Sequence, residues 1–259
     1  KFFPSGDLYF SGIEGELQYS DFSFYRPVDR ETKKPIFNIE NLKFENPDLV
    51  LLVNGDISSL KSEVFSKVQG DILFKDPQVI SHYLPNAVGP KTRNWIKRAF
   101  LSGDPIKGTY EYSGIIGKPY IKKNRKVKFN FFATNLNLLF STRWPAVSSL
   151  QGEVEVEGRS LKIKNASGDF AGNMVKNING QISNMKSDVP TLKLNGILNG
   201  DLQRIIDNAN KSPVEKWLKN FTTNMTGKGL ADIDLFLTID LKNFQNSDVF
   251  GKLTLKNNE

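Results

Sequence analysis

The sequence predicts an all-β protein: an extended, curved antiparallel sheet, shaped as a groove, with a few short helices. Apolar and polar residues alternate with a period of two along one segment after another, so each strand has one apolar and one polar face. Short stretches rich in Gly, Asn, Asp and Ser separate these segments at intervals of roughly 8–12 residues. Such spacing favours antiparallel neighbours joined by hairpins.

The clearest alternation begins at Leu150, where Leu150, Val154 and Val156 share one face and glutamates occupy the other. The same rule holds over 161–164, 192–198, 231–241 and 249–256, with Phe236 the one exception. Further predicted strands lie at about 8–13, 16–24, 36–44, 49–57, 68–75, 106–115, 127–132, 135–141, 168–172 and 177–183.

Helical signals are few and short. Residues 90–101 place Trp95 and Phe100 on one apolar stripe, and a Gly follows just past the end. Asp201 is predicted to cap a second helix over 202–208, and a third runs over 212–218 with Pro at its first position. One turn is expected at 77–83.

The residue inventory argues against an enzyme. The chain of 259 residues has no cysteine and a single histidine, His82, so thiol nucleophiles, Cys-based metal sites and His-containing triads are disfavoured. It carries no nucleophile elbow, phosphate-binding loop or dinucleotide fingerprint, and no two acidic residues are singled out for glycoside hydrolysis. We expect no cofactor and no metal.

The charge balance is basic, with 35 Lys and Arg against 28 Asp and Glu. The one local cluster, Lys122 to Lys128, falls between strand-like segments and is interpreted as a solvated turn, with contact to anionic lipid headgroups as the alternative. Nucleic acid is not an expected partner, because no recognition motif accompanies the cluster.

A long row of strands that each have one apolar face creates a large apolar surface, which must be covered. A second sheet, the short helices or acyl chains would each provide the burial, and the first of these would make a closed β-sandwich scaffold or partner-binding module. Each well-buried Leu or Phe contributes about 1.5–3 kcal/mol whichever cover is used, so stability does not choose among them. The pattern alone favours the sandwich.

A resemblance changes that balance. Tyr83-Leu84-Pro85, residues 95–103, 108–114 and 129–136, and Trp144 to Val147 followed by 150–156 occur in an order similar to that of the AsmA-like, YhdP-type family of Gram-negative envelope proteins. Segments 161–172 and 178–185 continue the order, and 212–213 and 229–241 resemble the next block. The chain departs from the family at 118–128.

The resemblance implies a non-enzymatic, bridge-like lipid transport protein with a long β-groove. Such proteins are anchored in the inner membrane by an N-terminal helix and extend through the periplasm toward the outer membrane. The chain would then be a periplasmic middle piece, with the anchor supplied by a missing N-terminus and with phospholipid or another acyl-chain lipid as its cargo.

On this interpretation three consecutive segments, 1–75, 76–200 and 201–259, form one continuous groove. Trp95 and Trp144 are expected to pin the first helix and a strand corner. The predicted floor of the groove consists of Phe129, Phe131, Leu136, Leu138, Leu150, Val154, Val156, Leu161, Ile163, Leu192, Leu194, Ile233, Leu235, Leu237 and Ile239.

Overall fold

The computed structural model describes residues 12–19, 35–60, 63–84, 88–116, 125–212, 214–218 and 222–256. Its strands are β1 (Gly12–Tyr19), β2 (Pro35–Glu45), β3 (Leu49–Leu60), β4 (Glu63–Phe74), β5 (Phe100–Ser102), β6 (Ile106–Ile116), β7 (Lys126–Leu138), β8 (Val147–Glu157), β9 (Ser160–Phe170), β10 (Asn173–Ile182), β11 (Thr191–Asp201), β12 (Leu230–Asp240) and β13 (Asp248–Lys256).

These strands form one antiparallel sheet whose spatial order follows the sequence from β1 to β13, with the short β5 pairing on the side with β7. The prediction of an extended, curved antiparallel sheet is therefore confirmed. In the part of the chain that the structure describes, every strand belongs to this sheet, so the two-sheet sandwich does not form.

The helices are short, as expected: α1 (Pro90–Ala99), α2 (Leu202–Asn210), α3 (Val214–Trp217) and two 3₁₀ helices (Pro77–His82 and Phe244–Asn246). The Asp201 carboxylate accepts a hydrogen bond from Arg204 N at 2.9 Å, which confirms the predicted cap of α2. Helix α1 ends two residues earlier than predicted, because Phe100 adopts an extended conformation and enters β5, which pairs with β7.

Two pairs of predicted strands are in fact single strands. The segments predicted as 127–132 and 135–141 are both parts of β7, and those at 161–164 and 168–172 are parts of β9. Each strand contains a β-bulge, which shifts the apolar alternation by one residue and so imitates a break. The bulges contain Asn135 and Asn165, which have φ angles of 50° and 49° in the left-handed region.

Three further strands use the same device, at Asn41 in β2, Ser149 in β8 and Asn177 in β10. Asparagine tolerates the left-handed conformation better than most residues, which explains its recurrence. A bulge bends its strand and increases the local twist, so five bulged strands contribute to the curvature of the sheet.

The described connections at one end of the strands form a border, which we call the helical wall: 75–84, 88–105, 139–146, 171–172, 201–212, 214–218 and 222–229. Trp95 in α1 donates a hydrogen bond from Nε1 to Phe140 O at 2.9 Å, as expected for a residue that pins this helix. The ring of Trp144 packs against both Phe140 and Phe170, with centroids 5.9 Å away in each case.

Helix α2 extends the helical wall across the turn between β9 and β10. Arg204 donates from Nη1 to Gly172 O at 2.6 Å, and Asn208 donates from Nδ2 to Ala171 O at 3.1 Å. These bonds fix α2 over the ends of the neighbouring strands. The helices of the described ranges are too short, or too polar, to cross a bilayer.

The two hydrophobic core clusters both lie beneath the helical wall. Under α2, Leu198 and Ala231 of the sheet pack with Leu202, Ile205 and Ile206. The second cluster joins sheet residues at the ends of β3, β4 and β6 to the first 3₁₀ helix; its buried members are Leu49, Phe74 and Ile106. The wall therefore covers one border of the apolar face and leaves the rest of that face without a protein layer among the described residues.

Candidate functional site: an open apolar face

A single line of paired residues crosses the whole sheet. We call it the central rung: Ile13, Phe44, Leu51, Ile72, Gly108, Phe131, Val154, Ile163, Gly180, Leu194, Leu237 and Val249. Each member pairs directly with the next across the strand ladder, and directly opposed residues point to the same face of a sheet. Every position is aliphatic, aromatic or glycine, so the apolar line continues from one outermost strand to the other.

A second rung runs parallel to the first, two residues farther from the helical wall. It consists of Gly70, Tyr110, Phe129, Val156, Leu161, Ile182, Leu192 and Ile239. The two rungs together form an apolar band about two side chains wide, since residues two apart on a strand share a face.

All of the predicted floor residues lie on this face. Phe131, Val154, Ile163, Leu194 and Leu237 belong to the central rung, and Phe129, Val156, Leu161, Leu192 and Ile239 belong to the second rung. Between the central rung and the helical wall lie Leu136, Leu138, Leu150, Ile233 and Leu235.

The floor residues are half-buried, with one exception. Leu136 is 5 % exposed, whereas the others retain intermediate exposure although they lie in the middle of a large sheet. A second layer of protein would bury such residues, as α2 buries Ala231 completely. The apolar band is therefore accessible to a guest molecule.

Glycines in the band make room for the large side chains of neighbouring strands. A Cβ atom added to Gly108 would lie 2.6 Å from the ring of Phe131, which therefore lies over the glycine backbone. At Gly180 an added Cβ would come within 3.0 Å of Leu194. The rings of Phe129 and Phe131 stack at 5.8 Å with an interplanar angle of 8°, which gives the floor a flat aromatic surface.

Two tyrosine hydroxyls near the band form hydrogen bonds within the protein. The Tyr110 hydroxyl donates to Leu52 O at 3.0 Å, and burial together with the charge of Asp71 raises its pKa to about 12. The Tyr83 hydroxyl bonds with Asn46 and Asp48, and burial raises its pKa. Both phenols stay neutral at physiological pH and contribute apolar surface.

The opposite face of the sheet is polar and charged. Lys164 lies 3.1 Å from Glu153 and 3.0 Å from Glu155, and Lys128 and Lys162 each lie 3.7 Å from Glu155. Hydrogen bonding and charge from these lysines lower the pKa of Glu155, and the two glutamates raise the pKa of Lys164. These ion pairs thus lie on the face opposite the apolar band.

The band contains nothing that resembles catalytic machinery. His82 lies at the end of a 3₁₀ helix on the helical wall and is exposed. Among the residues that the structure describes, no three acidic or imidazole side chains are grouped so that they could hold a metal ion. The arrangement suits non-covalent binding of apolar chains.

The cluster at Lys122 to Lys128 lies partly outside the described residues, and only its C-terminal residues are placed, at the start of β7.

Sequence reasoning missed the part of the band on β3, β4 and β6. Leu51, Ile72 and Tyr110 occupy the two rungs but were absent from the predicted floor. The run Leu49 to Val53 is apolar throughout, which conceals its alternation. The alternation of Ile106, Gly108 and Tyr110 with Lys107, Thr109 and Glu111 was the signal that could have placed this region.

Comparison with known proteins gives one match. A family model described as YhdP protein matches residues 13–259, which is nearly the whole chain. Neither the curated proteins nor the solved structures include a significant match.

Proposed function

We propose, from the premise that this chain belongs to the YhdP protein family, that it carries phospholipid along its open apolar face. The observation that supports the proposal is the central rung, which stays apolar across the sheet and whose side chains from Phe44 to Val249 are only partly buried. Family membership indicates an envelope protein related to lipid transport; the phospholipid cargo is our proposal.

The binding energy would come from many small contacts. Each methylene group that leaves water contributes about 0.8 kcal/mol, so an acyl chain on the band gains affinity along its length. The polar face and the helical wall would leave the headgroup in contact with water, because burying an unpaired charge is costly.

Movement along the band follows from the same geometry. Neighbouring strands are about 4.8 Å apart, and each step from one strand to the next exchanges one set of apolar contacts for a similar set. No buried cation or deep pocket interrupts the described part of the central rung, so the chain would slide without a strongly bound stopping point.

The cellular setting is part of the proposal. We infer that the chain lies in the periplasm as a segment of an inner-membrane-anchored protein and that it delivers lipid toward the outer membrane. The three segments 1–75, 76–200 and 201–259 would act as one groove, and no catalytic step would be required.

Photo-crosslinking tests the proposal directly. A photoreactive amino acid placed at Phe131 or Leu235 in the intact protein in cells should capture phospholipid, which mass spectrometry of the purified adduct would identify. Matched controls are Phe132 and Phe236, one residue along the same strands on the polar face, where they are 52 % and 51 % exposed.

The controls make the result decisive because they are more exposed than the test positions. Non-specific capture by an accessible apolar site would label Phe132 and Phe236 at least as strongly as Phe131 and Leu235. Equal labelling on both faces, or no lipid on either, would contradict the proposal.

A further inference from the structure

The polar face carries a depression of about 390 Å³ over β9 to β12. Two neighbouring rungs of the polar face contribute most of its lining: Lys162, Gln181, Lys193 and Thr238 in one, and Asn179, Asn195 and Phe236 in the other. The central-rung residues that lie between them along the strands, Ile163, Gly180, Leu194 and Leu237, also border the depression. We propose that this depression binds an oligosaccharide that carries acidic groups, independently of the lipid band on the opposite face.

An exposed pair of aromatic rings lies at one side of the depression. Phe236 pairs with Phe250 across the ladder, their ring centroids are 6.1 Å apart, and they are 51 % and 67 % exposed. Their neighbours across β11 and β12, Asn195 and Thr238, are polar. A ring exposed beside amide side chains offers a flat apolar surface for the C–H face of a sugar.

The polar side chains of the depression fall into two groups. Asn179 is used by the protein: its side chain accepts from Asn165 N at 3.1 Å and donates to Asn177 O at 3.0 Å. By contrast, the side chains of Gln181, Lys193, Asn195 and Thr238 make no hydrogen bond or ion pair with any described residue. Their donors and acceptors are therefore available to a ligand.

The size and chemistry of the depression favour a sugar over a protein partner. Its volume is only about 390 Å³, and the depression is open to solvent. A stable protein interface needs about 800 Å² from each partner around an apolar centre, and two rings among amides provide little of that. Amide and hydroxyl side chains match sugar hydroxyls, which both donate and accept.

The charges of the depression indicate the acidic character of the ligand. Lys162, Lys164 and Lys193 line it, and no carboxylate does. Lys164 and Lys162 are close to glutamates of β8, whereas Lys193 has no acidic partner among the residues described. Lys193 is thus the residue positioned to bind a carboxylate.

Titration of the whole chain with defined tetrasaccharides tests this inference. We expect tetragalacturonate, or a tetramer of alternating N-acetylglucosamine and N-acetylmuramic acid, to bind in calorimetry and to shift amide resonances of β10 to β12. Phe236→Ser and Lys193→Gln should each weaken binding at least tenfold, and the neutral tetramer of N-acetylglucosamine should bind more weakly than the acidic sugars.

Phe132→Ser is the matched control, because Phe132 has nearly the same exposure on the polar face of β7. It should bind the acidic sugar as the unmodified chain does. Absence of binding by either acidic tetramer, or equal affinity of the Phe236→Ser and Phe132→Ser variants, would overturn the inference. Lipid capture at Phe131 is expected to be unchanged in the Phe236→Ser variant, which separates this site from the apolar band.

Discussion

Single asparagine residues contribute to the curvature of the sheet, since they hold the bulges in the left-handed conformation. Their neighbours complete the hydrogen bonding that a bulge disrupts. The Asn54 side chain accepts from Asn41 N at 2.7 Å, and the Asn179 side chain accepts from Asn165 N at 3.1 Å. These two bulges therefore depend on one residue in the left-handed conformation and on a second residue whose side chain accepts a hydrogen bond from its backbone N–H.

We predict that Asn165→Val destabilises the protein by about 1–2 kcal/mol, because a β-branched residue is strained at a φ of 49°. Asn165→Gly should change the free energy of unfolding by less than about 0.5 kcal/mol, since glycine adopts positive φ freely. Urea denaturation would measure both values.

Asn195→Val is the control, because Asn195 is an exposed asparagine in the regular part of β11. Valine is favourable in an extended strand, so this change should be neutral or slightly stabilising. If the Asn165→Val variant were as stable as the unmodified chain, the bulge would not impose its backbone conformation on residue 165.

The charged cluster on the polar face predicts a defined pH dependence. The pKa of Glu155 is lowered in the folded chain, so its contribution to stability is present above its ordinary value of 4.5 and is lost as pH falls through the lowered value. The pKa of Lys164 is raised, so its contribution is present below 10.5 and is lost as pH rises through the raised value.

The Glu155→Gln variant should therefore be less stable than the unmodified chain at neutral pH and should converge with it in acid. Chemical denaturation across pH 2–8 would measure the difference. Glu157→Gln, at an exposed position without an ion pair to a described residue, should show no such convergence. A gap between the Glu155→Gln variant and the unmodified chain that persisted at the lowest pH would assign the effect to something other than charge.

The elements that were predicted well are those whose signals are local. Asp201 marks the start of α2 because a short acidic side chain just before the first helical residue accepts a hydrogen bond from a backbone N–H of the first turn. The strands of β11 to β13 were placed accurately, since their alternation is regular and their ladders contain no bulge from β11 onward. By contrast, the prediction divided β7 and β9 into two strands each. The bulge in each strand changes the phase of the alternation although the chain does not turn there.

We predict that Asp201→Ala loosens α2 over the helical wall. Loss of the cap typically costs about 1 kcal/mol, so the amides of Ile205 and Ile206 should exchange hydrogen faster. Hydrogen-exchange mass spectrometry would resolve the effect. Asp188→Ala changes an exposed acid in the loop between β10 and β11 and should leave exchange in α2 unaltered; equal protection in both variants would show that the cap does not hold the helix.

At the scale of the whole molecule, the sequence predicted which residues share a face but not what covers that face. A leucine side chain gains about the same free energy from burial under a second sheet, a helix or an acyl chain. Its alternation with polar residues therefore does not indicate which of the three covers it. The family resemblance favoured a groove, and the single sheet agrees with it. The predicted floor was incomplete because the long apolar run of β3 conceals its period.

A charge placed on the central rung should break its continuity. If lipid moves along the rung, Leu194→Asp should interrupt its passage, since a carboxylate in contact with an acyl chain loses hydration at a cost of several kcal/mol. Lys193→Asp places the same charge one residue away on the polar face and should leave passage intact.

Photo-crosslinkers at Phe131 and at Leu237 report from the two sides of residue 194 along the sheet. In the intact protein in cells, Leu194→Asp should deplete lipid at one of these positions and keep it at the other, whichever end of the sheet receives lipid first. Undiminished labelling at both positions would mean that lipids enter the band independently at each strand. The rung would then bind lipid, but lipid would not move along it.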